Sequence, residues 1–147
     1  MKRAVLLILA TFISIVAYSQ RTGIGLGVIL GEPTGLSAKM WTSENTAVDA
    51  ALAWSFVGNG FIHVHADILM HSFSIEVDQG SLPVYFGIGA KLDLASNLGL
   101  GVRIPFGLAY LFESAPIDLF IELVPILNLI PGTKFSVEGG IGVRYFF

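Results

Sequence analysis

The sequence predicts an all-β fold, specifically an eight-stranded antiparallel up-and-down transmembrane β-barrel. Three observations predict it. Beyond residue 19 the apolar positions alternate with period two almost throughout, and no run at three- and four-residue spacing persists. The 17 glycines of the 147-residue chain recur every few positions, which disfavours helices on entropic grounds. When each segment is sorted by face, one face is large and apolar and the other mixes glycine with charge.

The first segment has a different character. Lys2 and Arg3 precede an apolar run from Val5 to Val16, and Ala17-Tyr18-Ser19 places small residues three and one before Gln20. This is the pattern of a secretory signal peptide over 1–19, cleaved after Ser19. The run is short for a membrane span, which needs about 20 residues. The expected mature domain is 20–147. It keeps six basic side chains against eleven acidic ones, a formal net of -5. No basic patch is available for nucleic acid. The chain has no cysteine, so an exported domain must be stabilised by something other than disulfides.

Eight strands are expected, at about 21–31, 35–42, 46–57, 60–71, 82–93, 97–112, 116–127 and 134–147. Turn residues separate them: Glu-Pro-Thr-Gly at 32–35, Ser-Glu-Asn at 43–45, Gly-Asn-Gly at 58–60, Ala-Ser-Asn at 95–97, Ser-Ala-Pro at 114–116 and Ile-Pro-Gly-Thr at 130–133. The connection at 72–81 is longer and is expected to extend a strand or form a flap. Short connections pair sequence neighbours antiparallel, and the last strand is expected to close on the first. No internal repeat, linker or low-complexity tract interrupts the pattern.

The faces decide the solvent. In the first strand Ile24, Leu26, Val28 and Leu30 oppose Gly23, Gly25, Gly27 and Gly31. Near residue 84, Val84, Phe86, Ile88, Ala90 and Leu92 oppose Tyr85, Gly87, Gly89, Lys91 and Asp93. In the sixth strand Leu98, Leu100, Val102, Ile104, Phe106 and Leu108 oppose Gly99, Gly101, Arg103, Pro105 and Gly107. In the last, Phe135, Val137, Ile141, Val143, Tyr145 and Phe147 oppose Lys134, Ser136, Glu138, Gly140, Gly142, Arg144 and Phe146. A soluble barrel would expose the glycine-rich face, where glycine weakens a strand and gives water nothing. The opposite arrangement is consistent. The apolar face meets lipid, and the glycine-plus-charge face lines a lumen only wide enough for side chains.

On that inner face lie Lys39, Lys91, Arg103 and Arg144 with Asp49, Asp67, Glu122 and Glu138, four charges of each sign. Buried charges are tolerated when paired, so this set is expected to form a lumen network that leaves no conducting channel. Inner-wall glycines make room for Trp41, Tyr85 and Phe120. Aromatic residues near strand ends (Trp41, Trp54, Phe56, Phe61, Tyr110, Phe112, Phe146 and Phe147) are also candidates for interfacial belts.

The closing Val143-Arg144-Tyr145-Phe146-Phe147 resembles the C-terminal signature of small bacterial outer-membrane β-barrel proteins. More narrowly, the chain resembles small envelope barrel proteins of Bacteroidetes and spirochaetes. GEPTGLSAKMW at 31–41, HADILMHSF at 65–73, LPVYFGIGAKL at 82–92, GVRIPFGLAYLF at 101–112, PIDLFIELVP at 116–125 and GGIGVRYFF at 139–147 carry this resemblance. It implies a multi-pass β-barrel in the cell outer membrane. The implied partners are outer-membrane lipids and the outer-membrane assembly machinery, which would read Tyr145 and Phe147. It brings no catalytic residue and no cofactor.

Four clusters carry candidate chemistry. Gly23, Gly25 and Gly27 do not make a dinucleotide fingerprint, because Val28 stands where the next glycine belongs and no strand–turn–helix surrounds them. His63, His65 and Asp67 alternate on one strand and share a face, as a zinc-type site or as a polar lumen network. His71, Ser72 and Glu76 have the residue types of a hydrolase triad, but neighbours on a strand face opposite ways unless the chain turns there. Glu122 and Glu138 are a possible acid pair, with salt bridges to Arg103 and Arg144 as the plainer account. The favoured function is a non-enzymatic integral outer-membrane barrel with a structural or interaction role. The alternatives are an outer-membrane lipid-modifying enzyme and a soluble periplasmic ligand-binding barrel.

Overall fold

The computed structural model describes residues 22–56 and 60–147. The expected leader at 1–19, Arg21 of the first expected strand, and the Gly58-Asn59 part of one turn lie outside them.

The described residues form a single antiparallel sheet of nine strands. They are β1 (Ile24–Glu32), β2 (Thr34–Trp41), β3 (Thr46–Ser55), β4 (Phe61–Val77), β5 (Gly80–Leu94), β6 (Leu98–Arg103), β7 (Phe106–Phe112), β8 (Ile117–Ile130) and β9 (Lys134–Phe146). Each pairs with its sequence neighbour from β1 to β6 and from β7 to β9 except that β6 and β7 do not pair with each other. β9 pairs with β1 from Gly25 opposite Phe146 to Glu32 opposite Gly139, which closes the sheet into a ring.

Where one strand was expected at 97–112, the structure has two. β6 and β7 lie end to end in the same gap, both paired with β5 and with β8. The interruption at Ile104–Pro105 has a plain cause. Pro105 has no N–H to donate to a ladder, and neither has Pro125 on β8 beside it. The remaining groups bond across the gap: Ile104 N–H donates to the Pro125 carbonyl at 3.0 Å, and Gly87 N–H to the Pro105 carbonyl at 2.9 Å. Any path around the ring therefore crosses eight strands.

The connection at 72–81 extends both of its strands. β4 and β5 continue to a two-residue turn at Asp78-Gln79, with Val77 opposite Gly80 and a bulge between Ser72 and Ile75. Phe73 at the bulge has a φ of 50° and an exposed side chain. β8 runs three residues further than expected, to Ile130.

Side chains alternate between the two faces with the parity expected. The inward set is buried and includes Lys39, Asp49, Asp67, Lys91, Arg103 and Arg144. The outward set is apolar and exposed: Leu36, Ile68, Ile88, Ile121, Leu123 and Ile141 are each 56–62% accessible. Two aromatics depart from the belt expectation. Trp41 and Phe146 point inward and are buried, because each shares its strand's inward parity with Lys39 and Arg144.

Glycines let the wide inward side chains fit. Three of the inward rings lie over a glycine of the adjacent strand, Phe146 over Gly25, Tyr85 over Gly107 and Phe120 over Gly142, whereas Trp41 lies opposite Ala47. A Cβ added at any of these glycines would collide with the ring. The glycine face of the sequence is thus a set of recesses for the packing of the interior.

Candidate functional site: the charged interior

The strand register stacks the inward residues in rows around the ring. One row runs Lys39, Asp49, Asp67, Gly89, Arg103 across β2 to β6. Another runs Asp118, Arg144, Gly27, Ser37, Ala51, His65, Lys91 from β8 through β9 and β1 to β5. Small residues beside an arginine let the long side chain lie across the neighbouring strand. Arg103 reaches over Gly89 to Asp67, and Arg144 reaches over Gly27 to Ser37.

Arg103 is the hub of one half. Its Nε donates to both carboxylate oxygens of Asp67 at 3.0 and 3.1 Å. One terminal nitrogen donates to Glu138 at 3.1 Å and the other to Glu122 at 3.5 Å. These partners belong to β4, β9 and β8, so a single guanidinium ties three strands that β6 does not all adjoin. Glu138 also accepts from Lys91 at 2.9 Å, and Lys91 pairs with Asp93 at 3.0 Å. Tyr85 O–H donates to Glu122 at 2.8 Å across Gly107.

Arg144 is the hub of the other half. It donates to Ser37 at 2.8 Å and to Asp49 at 2.9 Å, pairs with Asp118 at 3.6 Å, and stacks 3.8 Å from the centre of the Phe120 ring. Lys39 pairs with Asp118 at 3.6 Å and lies 4.4 Å above the Trp41 ring. Its ammonium also contacts His71 Nε2 at 2.9 Å. An ammonium only donates, so Nε2 accepts and His71 is neutral, with its proton on Nδ1.

All eight residues of the expected charge network face this interior, but the partners are specific. Glu122 and Glu138 both go to Arg103, and Arg144 goes to Asp49 and Asp118. Asp93, Asp118, Tyr85 and His71 also take part and were absent from the expected set. Their parity was available: Asp118 is two residues from the inward Phe120, and Asp93 two from Lys91.

The candidate triad at 71–76 is not assembled. His71 turns inward between Trp41 and Tyr85, with ring centres at 4.4 and 5.2 Å, while β4 and β5 stay in register through Ser72 opposite Val84. That regular pairing sends Ser72 to the other face, and Glu76 is exposed beyond the bulge.

The histidine cluster converges, with one change of membership. His63, His65 and Asp67 are all inward and buried. His63 Nδ1 bonds Asp93 at 3.0 Å and its Nε2 bonds His65 Nδ1 at 2.9 Å, so both His63 nitrogens are engaged. Asp49 takes its place: one ligand atom each from Asp49, His65 and Asp67 lie within 4.8 Å of one another. A narrow cleft of about 20 Å³, room for one water-sized occupant, runs beside His65 and Arg103 toward Glu32 and Pro33.

No family model matches the chain, and no curated protein matches it. Among solved structures it is similar to the N-terminal β-barrel domain of Pseudomonas aeruginosa OprF. The two share 14% identity over 86% of this chain and 98% of that one, with a TM-score of 0.66. The likeness shows the fold, a β-barrel.

Proposed function

We propose that the protein is an integral outer-membrane barrel, eight strands around, with a structural or interaction role and a lumen filled by side chains. The observation that carries this reading is the inverted polarity of the wall. Leucine, isoleucine, valine and phenylalanine cover the outside, and the ion pairs are inside. Water rejects such a surface, whereas hydrocarbon accepts it and demands the edge-free backbone pairing that a closed sheet supplies. β6 and β7 act together as one interrupted stave. Strands of 8 to 17 residues, with β6 and β7 taken together, are long enough for the nine to eleven tilted residues a bilayer strand needs in all but the shortest cases. The fold likeness to the OprF barrel domain supports the same assignment.

The lumen reading is supported by the arginine hubs, whose ion pairs cross the interior, with a narrow cleft beside His65. The protein is on this account non-conducting. A leader at 1–19 would deliver the chain to the envelope, as in the small envelope barrels it resembles. The outward aromatics Tyr145 and Phe147, in edge contact at 5.0 Å on the closing strand, would be read by the assembly machinery.

Fractionation and gel migration test the assignment. The protein is expected in the outer membrane, released by detergent but not by salt or carbonate, and to migrate faster unheated than boiled. In planar bilayers it is expected to give no steady conductance. Recovery of folded protein in detergent-free buffer would overturn the membrane reading, and stable ohmic channels would overturn the filled lumen.

A further inference from the structure

We propose that Asp49, His65 and Asp67 bind one divalent transition-metal ion, zinc by the chemistry of the donors, inside the wall of β3 and β4. The hydrogen-bond chain behind His65 fixes its tautomer. Asp93 accepts at His63 Nδ1, so that nitrogen carries the proton. Arg103 approaches His63 Nε2 at 3.5 Å and only donates, so Nε2 is an acceptor. His65 Nδ1, 2.9 Å from the same nitrogen, therefore donates to it. The remaining nitrogen of His65, Nε2, presents a lone pair toward Asp67, whose carboxylate oxygen is 3.8 Å away.

His65 Nε2 and the Asp67 carboxylate oxygen thus face each other at 3.8 Å, beyond hydrogen-bond distance. The third donor is Asp49 Oδ1, fully buried and without a hydrogen-bond partner, while its other oxygen is held by Arg144 at 2.9 Å. A tetrahedral zinc ion brings nitrogen and oxygen ligands to about 3.4 Å from each other, given bonds of about 2.0–2.2 Å. The His65–Asp67 separation of 3.8 Å would have to close by about 0.4 Å, and separations of up to 4.8 Å by as much as about 1.4 Å, to meet it. The Asp93–His63–His65 relay is the outer-shell arrangement that holds a metal-binding imidazole in place.

Charge points the same way. Among the described residues, six interior carboxylates (Asp49, Asp67, Asp93, Asp118, Glu122 and Glu138) face four basic side chains (Lys39, Lys91, Arg103 and Arg144). Acidic groups thus outnumber basic ones in the interior, and Glu32 on the cleft wall adds another carboxylate, surroundings that favour a cation. The cleft beside His65 carries Glu32, Glu122 and Glu138 on its walls, so acidic groups border the site on that side.

The test uses the whole protein in detergent, stripped with EDTA, then titrated with zinc chloride both after folding and during refolding. The expected result is one equivalent bound at micromolar or tighter affinity. Asp49→Asn and His65→Gln should each weaken binding at least tenfold. His63→Gln, a positioning change, should weaken it by about ten- to a hundredfold. Cobalt in place of zinc should give the intense visible bands of four-coordination, which serves if a variant fails to fold. No saturable zinc binding by the unaltered barrel, a weak six-coordinate cobalt spectrum, or undiminished binding by folded Asp49→Asn and His65→Gln would each overturn the proposal.

Discussion

Arg103 shows how much a single side chain can organise. It is 1% exposed and holds Asp67, Glu122 and Glu138 from three different strands. Arg103→Met keeps the bulk and deletes the charge, leaving three carboxylates facing one another. The expected loss is about 3–5 kcal/mol of stability, the range for breaking a buried ion pair from one side. Urea unfolding in micelles, followed by tryptophan emission, measures it; a change under about 1 kcal/mol would mean the pairs are solvated. Alternation alone placed Arg103 and its seven expected companions on the inner face. It did not identify their partners, because those depend on the stagger between strands and on which glycine a long side chain can lie across. Arg144 illustrates this: Asp118 is placed opposite it by the β8–β9 register, and Asp49 is brought to it by the closing register of β9 on β1.

The strands were legible wherever apolar and small residues alternate between turn residues, as in β1 to β3. They were less so where the period-two pattern continues through a break. Residues 98–112 keep their parity across Pro105, so nothing in the pattern marks the division; it comes from Pro105 and from Pro125, which faces the preceding Ile104 in the folded sheet. The 72–81 stretch was ambiguous for the opposite reason, since the bulge at Phe73 disturbs alternation while pairing resumes beyond it. The up-and-down order makes a prediction that the absence of cysteine renders clean. Single cysteines at Ser96 and Gly132 should react with an impermeant maleimide from one side of the membrane. Cysteines at Glu44, Gln79 and Ser114 should react only from the other. Mixed labelling within either group would contradict the strand order.

Taken whole, the molecule is a soluble protein turned inside out. Its apolar surface is legible in the sequence as one parity of every strand, and its interior as the other. A charge on the outer parity should therefore be costly in lipid. Ile88, midway along β5 and 60% exposed, is a direct probe. Ile88→Arg should lose about 2–4 kcal/mol of folding free energy in bilayers if it lies near the midplane. The substitution should cost little if the surface faces water, so urea titration in liposomes separates the two environments.

The arginine crossings also bear on how the ring forms. Arg103 meets Asp67 and Glu122, and Arg144 meets Asp118, within one continuous run of strands, but Arg144 reaches Asp49 and Lys39 reaches Asp118 only when β9 has come round to β1. An open ribbon would leave Asp49 and Lys39 without these counterparts, against greasy surroundings. Closing the seam should then be the step at which the last of the interior charges find their partners.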